Sequence, residues 1–264
     1  TTEIYTLSLH DALPISPILD SFHRICVQTE LDRERFASVT SKAELTVTGN
    51  IKFDQAPSPD LQGIDLSECF GKDIVTVLAC STHAPEEKLI LDSFQQARKD
   101  NPSLKLVIVP RHAERGNELE AMLSASGLRY YRRTSEKPLE GKVDCLLADT
   151  TGELVKFIKS SDIILMGKTF CQHREGQNII EPAALGKTIV TGPDMINFRQ
   201  AFEALIKGGG VMSIASDTEL PKAIRSLADS PALRKQLGDN ARDAVALHAG
   251  ALAKSITILE ETLP

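Results

Sequence analysis

From Lys72 onward, short apolar runs alternate with stretches that have the periodicity of helices. The apolar runs are rich in β-branched residues, and they are apolar at successive positions rather than at every second one. Strands of this kind are buried on both faces, which predicts a parallel sheet covered by helices on both sides. We therefore predict an α/β fold with a doubly wound, Rossmann-like parallel sheet. The predicted strands are Ile74–Ala79, Leu104–Val109, Leu128–Arg132, Val143–Ala148, Asp162–Met166, Thr188–Thr191 and Val211–Ile214.

Helices are predicted between these strands and after the last of them. Several end at a glycine, as expected for helix carboxyl termini. The predicted helices are Pro85–Asp100, Glu114–Ser126, Gly152–Lys159, Asn178–Leu185, Met195–Lys207, Thr218–Ala228 and one or two closing helices in Ala232–Leu263. Ligands of such sheets bind outside the carboxyl ends of the strands, so the residues that follow each strand are the candidates for function.

The chain divides into three predicted parts. Residues 1–16 show no strand or helix period, and their string Leu7–Ser16 resembles a translation of sequencing-adapter DNA, so we predict a non-native, disordered leader. Residues 17–54 hold two short strands and a charged helix, which is too little for a domain and predicts the remnant of one. Residues 55–264 form the Rossmann-like domain, with Gln55–Lys72 as its entering loop.

Composition and missing motifs exclude several function classes. The chain of 264 residues has a net charge of −6, which argues against a nucleic-acid partner. No apolar run reaches the length of a membrane span. The five cysteines lack CxxC spacing, which favours reduced thiols, and the histidine spacing predicts no metal site. Because neither a G-x-G-x-x-G fingerprint nor a P-loop is present, NAD and ATP chemistry are disfavoured.

Polar residues follow the first two strands of the predicted sheet. Ser81, Thr82 and His83 come after the first, where they could cap the next helix or meet a phosphate, and the sequence favours neither. After the second strand, Pro110 stops the strand and directs Arg111 to the sheet edge. A guanidinium there suits phosphate or carboxylate recognition, and the alternative is a surface arginine paired with Glu114.

Two later strands are also followed by candidate ligand contacts. Gly152 begins a helix after Asp149-Thr150-Thr151, and a glycine there lets an anion approach backbone N–H groups. Asn178 and Glu181 have the spacing of a capping box, and they could also hold phosphate and ribose. Three cationic residues precede them and suit an anionic ligand, namely Lys168, His173 and Arg174.

Taken together, these strings resemble the carboxyl-terminal half of a 3-deoxy-D-manno-octulosonic acid (Kdo) transferase. The resemblance runs from about Phe22 to about Phe202, and its specificity comes from the order of six motifs. The motifs are Gly49–Asp54, Ser81-Thr82-His83 with Glu86-Glu87, Pro110-Arg111-His112 with Glu114-Arg115, Asp149–Leu154, Asn178-x-x-Glu181-Pro182, and Gly192-Pro193 with Asn197-Phe198.

The resemblance implies a GT-B glycosyltransferase, in which two Rossmann-like domains face a cleft. The family transfers Kdo from CMP-Kdo to a lipid A precursor with inversion, at the cytoplasmic face of the bacterial inner membrane and without a metal or other cofactor. Residues 17–54 would then belong to the amino-terminal acceptor domain, which contacts the membrane. Carried over by motif, the CMP contacts would be Pro110, Arg111, Thr151, Gly152, Glu153, Asn178, Ile179, Ile180 and Glu181. Further cleft residues would be Ser81, Thr82, His83 and Lys168.

Two departures from the family pattern qualify these expectations. Gln177 stands where the family usually has a histidine, so that imidazole is absent or replaced by His173. The family's catalytic base is a glutamate of the amino-terminal domain, for which we identify no counterpart, so the chain is expected to bind donor but to transfer little alone. The alternatives are a stand-alone nucleotide-binding module and a related GT-B enzyme that uses a UDP-sugar.

Overall fold

The computed structural model describes residues 15–55, 57–58 and 60–262. Residues 1–14 of the predicted leader therefore lie outside the described residues. The described strands are β1 (Arg24–Val27), β2 (Glu44–Val47), β3 (Val75–Thr82), β4 (Leu104–Pro110), β5 (Tyr130–Arg132), β6 (Cys145–Leu147), β7 (Ile163–Met166), β8 (Thr188–Thr191) and β9 (Met212–Ser213). The described α-helices are α1 (Ser16–Leu19), α2 (Glu30–Ala37), α3 (Ser67–Phe70), α4 (Glu86–Arg98), α5 (Gly116–Ala125), α6 (Leu154–Ser160), α7 (Ile180–Ala184), α8 (Arg199–Gly208), α9 (Leu220–Asp229), α10 (Pro231–Ala246) and α11 (Ala251–Thr262).

Seven strands form one parallel sheet, in the order β5-β6-β4-β3-β7-β8-β9. Every residue of β4, β6, β7 and β8 is buried, which explains why the sequence shows unbroken apolar runs there. Helices α4 and α9 pack on this core through apolar stripes that include Ile90, Phe94, Ile224 and Leu227. The predicted α/β fold with a doubly wound parallel sheet is confirmed.

The order of the strands fixes where a ligand site is expected. The chain enters the sheet at its centre with β3, extends to one side through β4, β5 and β6, and then returns to add β7 on the other side of β3. The direction of winding therefore reverses between β3 and β7. Loops diverge at such a switch point and leave a crevice at the carboxyl ends of the two strands.

The described part of the segment Gln55–Lys72 contains a helix in place of the predicted loop. This is the short helix α3, and its residue Phe70 and the preceding residue Leu66 are buried. Their i, i+4 spacing places both side chains on one face, a signal that the prolines and glycines of this segment obscure in the sequence. Lys142 Nζ donates to the carbonyl oxygens of Ser67 and Glu68, so a distant lysine satisfies carbonyls of this turn.

The chain forms two compact units. The first contains the described residues up to Gln55 together with those from His248 onward, and the second contains the described residues in between. The parallel pair β1 and β2 belongs to the first unit, and the seven-stranded sheet belongs to the second.

Helix α11 packs with the first unit, whereas the sequence placed it with the second. The carboxylate of Asp54 accepts hydrogen bonds from the N–H groups of Gly250 (2.5 Å) and Leu252 (2.9 Å) at the start of this helix. The rings of Phe53 and His248 lie 5.1 Å apart. These contacts span almost 200 residues of sequence, so no local pattern predicts them. None of the described helices is long and apolar enough to cross a membrane.

Candidate functional site

The turns after β3, β7 and β8 touch through their backbones. A Cβ atom on Gly167 would lie 2.3 Å from the carbonyl oxygen of Ser81, and one on Gly192 would lie 1.8 Å from that of Thr169. Both distances are shorter than any van der Waals contact, so only glycine fits at these positions. The two glycines therefore let the turns close around the switch point.

Glu86 connects two of these turns, the one after β3 and the one after β7. Its carboxylate, which is fully buried, accepts hydrogen bonds from the backbone N–H groups of four residues. The donors are His83 (3.1 Å), Lys168 (2.8 Å), Thr169 (2.9 Å) and Phe170 (2.9 Å). Burial raises the pKa of Glu86, and the four donors act in the opposite direction. One carboxylate thus fixes the turn after β3 relative to the turn after β7.

Backbone strain is concentrated at this edge of the sheet. Ser81, Lys168 and Cys171 have positive φ angles of 55°, 62° and 58°, a conformation that non-glycine residues rarely adopt. Ser81 is also the extra residue at the irregularity in the pairing of β3 with β4. Bulges and strained residues of this kind are common beside functional sites, where they redirect side chains.

A cleft of about 220 Å³ opens at the carboxyl ends of β3, β4 and β6. Its lining includes five residues that the sequence predicted, which are Ser81, Pro110, Arg111, Thr151 and Gly152. Thr150 lines the cleft as well and was not singled out from the sequence. The structure thus brings together candidates from three separate strand ends, as expected for parallel strands that finish at one edge.

Arg111 is the cationic side chain of this cleft. Its backbone N–H donates to the carbonyl oxygen of Thr82 (3.0 Å), which anchors the residue while its side chain stays exposed. The alternative interpretation paired Arg111 with Glu114, but Glu114 lies instead beside His112, with 3.3 Å between Oε1 and Nδ1. Within the described ranges, Arg111 has no ion pair, so its guanidinium is available to an anion.

Glu153 is engaged by protein groups. Arg133 donates to both of its carboxylate oxygens (2.7 Å each), and Thr150 Oγ1 donates to Oε2 (2.5 Å). These hydrogen bonds, led by those from Arg133, lower the pKa of Glu153 to about 2. The guanidinium of Arg133 also lies 5.5 Å from the ring centroid of Phe157. A contact from Glu153 to a nucleotide stays a prediction, and its side chain would have to share these partners.

The pKa of Glu153 gives a testable dependence of stability on pH. Because the folded-state pKa is depressed, the stabilisation is complete above the unfolded value near 4.5 and is lost as the pH falls toward 2. Glu153→Gln is expected to lower the free energy of unfolding by about 1 kcal/mol at pH 7, since Arg133 is one-third exposed and partly screened. Urea unfolding of both proteins between pH 7 and pH 3 measures this. A difference that stays constant over this range would contradict the assignment.

The region around Asn178 is built differently from the predicted capping box. Helix α7 begins at Ile180, and Asn178 Oδ1 accepts from the N–H of Ile180 (3.1 Å). The amide of Asn178 donates to Glu181 Oε1 (3.0 Å), so that carboxylate bonds to a side chain rather than to the backbone N–H that a capping box requires. Burial raises the pKa of Glu181. Ile179 and Ile180 have buried side chains, which leaves only their backbone for the predicted CMP contacts.

Three imidazoles gather beside the cleft, and only one of them, His83, is among the cleft residues that the family resemblance implies. The ring of His83 lies 5.6 Å from that of His112 and 6.2 Å from that of His173, between centroids. Thr82 is fully buried, and Lys168 is half-buried. The histidines follow β3, β4 and β7, so the rule that parallel strands end at one edge could have grouped them. No group of three or more His, Cys, Asp or Glu side chains in the part of the chain that the structure describes is arranged to hold a metal ion.

The fold and the position of this site define a class of protein. The second unit matches the carboxyl-terminal, Rossmann-like domains of GT-B glycosyltransferases. A solved structure described as the C-terminal CMP-Kdo binding domain of WaaA from Acinetobacter baumannii is 26% identical, with a TM-score of 0.61, and the match covers 66% of this chain and 90% of that one. A glycosyltransferase from Rickettsia africae matches with a TM-score of 0.60 at 14% identity over 98% of this chain and 68% of that one, which supports the fold.

Sequence relatives give a more specific likeness. The 3-deoxy-D-manno-octulosonic acid transferase of Bordetella pertussis is 32% identical over 252 residues, which are 93% of this chain and 58% of the relative. That of Haemophilus influenzae is 30% identical over 90% of this chain and 57% of the relative. Residues 9–55 match the family model described as 3-Deoxy-D-manno-octulosonic-acid transferase (kdotransferase). The chain is thus similar to the Kdo transferases, and it spans somewhat more than half of the length of these relatives.

Proposed function

We propose that this chain binds CMP-Kdo at the carboxyl edge of its seven-stranded sheet and supplies the donor side of an inverting transfer of Kdo to a lipid A precursor. The observation that carries the proposal is the cleft that holds Arg111 together with Thr151 and Gly152. The likeness to a CMP-Kdo binding domain, at 26% identity over 66% of this chain, supports CMP-Kdo as the donor. The proposed place of action is the cytoplasmic face of the bacterial inner membrane, where the lipid acceptor is presented.

Arg111 has the chemistry that such a donor needs. The phosphate of a CMP-sugar gains negative charge as the bond from the sugar to its oxygen breaks. A guanidinium fixed at the cleft stabilises that charge in the transition state, and the backbone hydrogen bond to Thr82 keeps the residue in place. Since this charge comes from a side chain, we propose that donor binding and transfer need no metal ion. Activity of the full enzyme that persists in excess EDTA would support this, and its loss would contradict it.

The base that accepts the proton of the acceptor hydroxyl is proposed to come from outside this cleft. The two carboxylates nearest to Gly152 in sequence are both engaged by arginines. Asp149 accepts from Arg132 (2.6 Å), and Glu153 accepts from Arg133. Both have lowered pKa values, with hydrogen bonds from these arginines among the causes that lower them, which makes them poor proton acceptors. The chain then acts as the donor half of the reaction.

Arg111→Gln tests the nucleotide site. The variant is expected to bind CMP about 10- to 100-fold more weakly, because a charge-assisted contact to phosphate is worth about 1.5–3 kcal/mol. Isothermal titration calorimetry with CMP measures the change. Arg33→Gln is the matched control, since Arg33 is an exposed arginine of α2 in the first unit. Equal CMP affinity of Arg111→Gln and the control would remove Arg111 from the site.

The base of the nucleotide separates this proposal from its alternatives. The same titration with UMP and UDP is expected to give weaker binding than CMP. Tighter binding of UDP would favour a GT-B enzyme that uses a UDP-sugar.

A further inference from the structure

His83 is the central ring of the three-histidine cluster and has an unpartnered buried nitrogen. Its Nδ1 is inaccessible to solvent and has no hydrogen-bond partner within the described part of the chain, and the same holds for Oγ1 of the adjacent Thr82. Buried polar atoms without partners are rare, and each one indicates strain or an absent ligand. Here two such atoms lie next to each other in the chain, at the end of β3, where the topology places the ligand crevice.

The groups around His83 are mostly cationic. His112 and His173 flank its ring, and Lys168 is close enough to act on it electrostatically. Each of these neighbours has a partner of its own. Glu114 lies 3.3 Å from His112, while Glu175 lies 3.5 Å from His173 and 3.8 Å from Lys168 Nζ, and His173 Nε2 also contacts the carbonyl oxygen of Ala84 (3.0 Å).

His83 differs from its neighbours because, among the described residues, no carboxylate forms an ion pair with its ring. The buried carboxylate of Glu86 bonds to the backbone N–H of His83 instead. Burial lowers the pKa of His83 most, and the positive charge of Lys168 lowers it further; the backbone of Ser81 acts in the opposite direction, and His112 and His173 add smaller lowering effects. The net shift favours the neutral imidazole, whereas an anion bound beside the ring would favour its protonation.

We propose that His83, with His112 and Lys168 beside it, is the subsite for the carboxylate of the sugar acid. This inference rests on the proposed function, since it assigns the part of the donor that lies next to the nucleotide. Ser81 and Arg111 line the nucleotide cleft. His83 lies two residues after Ser81, and His112 lies one residue after Arg111. A carboxylate in this position would accept a hydrogen bond from the imidazole of His83. Binding would transfer one proton from solvent to that ring. The positive charge of the imidazolium would then balance the negative charge of the carboxylate.

Calorimetry with CMP and with freshly prepared CMP-Kdo tests the subsite. Titrations at pH 7.5 in buffers of different ionisation enthalpy count the protons taken up. The wild-type protein is expected to bind CMP-Kdo about 10-fold more tightly than CMP, which is the effect of one charge-assisted hydrogen bond, with uptake of up to one proton. In His83→Gln, both the advantage of CMP-Kdo and the proton uptake are expected to disappear, while CMP affinity stays unchanged. His23→Gln is the matched control, since His23 is exposed in the first unit.

The outcomes separate this inference from the function on which it rests. If neither ligand binds, the proposed function fails, and the subsite with it. If CMP binds but CMP-Kdo has no advantage that depends on His83, only the subsite is overturned. Proton uptake of the same size with CMP alone would place the phosphate at His83 and overturn the carboxylate assignment. His112→Gln is a second variant for the case that His83→Gln unfolds, because the ring of His112 is exposed. It is expected to weaken CMP-Kdo binding several-fold without changing CMP binding. Unchanged CMP-Kdo binding in this variant would overturn the proposal.

Discussion

Replacing Glu86 by glutamine is expected to lower the free energy of unfolding of the second unit by about 3 kcal/mol. The carboxylate accepts four backbone hydrogen bonds in a site without solvent. Glutamine keeps one acceptor oxygen and turns an NH₂ group toward N–H donors, and each buried donor left without an acceptor costs about 1–3 kcal/mol. Because these donors shape the turns after β3 and β7, CMP binding should weaken together with stability.

Thiol labelling measures this loss within the second unit. Cys145 in β6 is fully buried and remote from Glu86 in sequence, and burial raises the pKa of its thiol, so it reacts only when the sheet opens. Labelling of Cys145 in urea, followed by mass spectrometry, reports that opening. Glu203→Gln is the matched control, since Glu203 is exposed on α8. A midpoint that is the same for both variants would show that the four hydrogen bonds contribute little.

Replacing Gly192 by alanine is expected to have an effect at least as large. The added Cβ would lie 1.8 Å from the carbonyl oxygen of Thr169 and 2.8 Å from its carbonyl carbon, and these are backbone atoms that cannot turn away. The turns after β7 and β8 would have to separate, which breaks the hydrogen bond from the N–H of Gly192 to Thr169 Oγ1 (3.0 Å). The expected loss is more than about 3 kcal/mol, above the usual range for overpacked positions because backbone must move.

Gly141→Ala provides the comparison for this variant. Gly141 has a φ of +71° and open space around the position of a Cβ, so alanine there costs only the strain of a left-handed conformation, about 1–2 kcal/mol. Urea unfolding, followed by circular dichroism, ranks the two variants. Equal destabilisation would contradict the prediction, since it would mean that the turn after β8 adjusts at a cost of only about 1–2 kcal/mol. A folded Gly192→Ala protein that has lost CMP binding would instead place the damage in the site.

The sheet could be predicted from the sequence because its information is local. Runs such as Leu104–Val109 are apolar at every position, and that alone indicates a strand covered on both sides. The cleft was predicted for a related reason, since Arg111 and Gly152 each follow a strand, and parallel strands end at the same edge. Both inferences need only the order of elements along the chain.

The rest of the site depends on contacts between distant residues. Glu86 is an acidic residue in the first turn of α4, a position that helix dipoles explain without further function. Its donors Lys168 and Phe170 are more than 80 residues away, and only the folded chain brings them to it. In the same way, the pairing of Glu153 with Arg133 requires the β-strands to be in place first.

The two-segment construction of the first unit has a consequence for how this chain can be engineered. The second unit is one continuous stretch, and the chain enters and leaves it once, near residues 55 and 248. Just outside these two junctions, Asp54 accepts hydrogen bonds from the start of α11 and so joins the two segments of the first unit. The second unit is therefore a single segment with two junctions. Exchange of the segment between these junctions for that of a relative is expected to transfer the proposed nucleotide preference, provided that Asp54 and the start of α11 remain from the same parent.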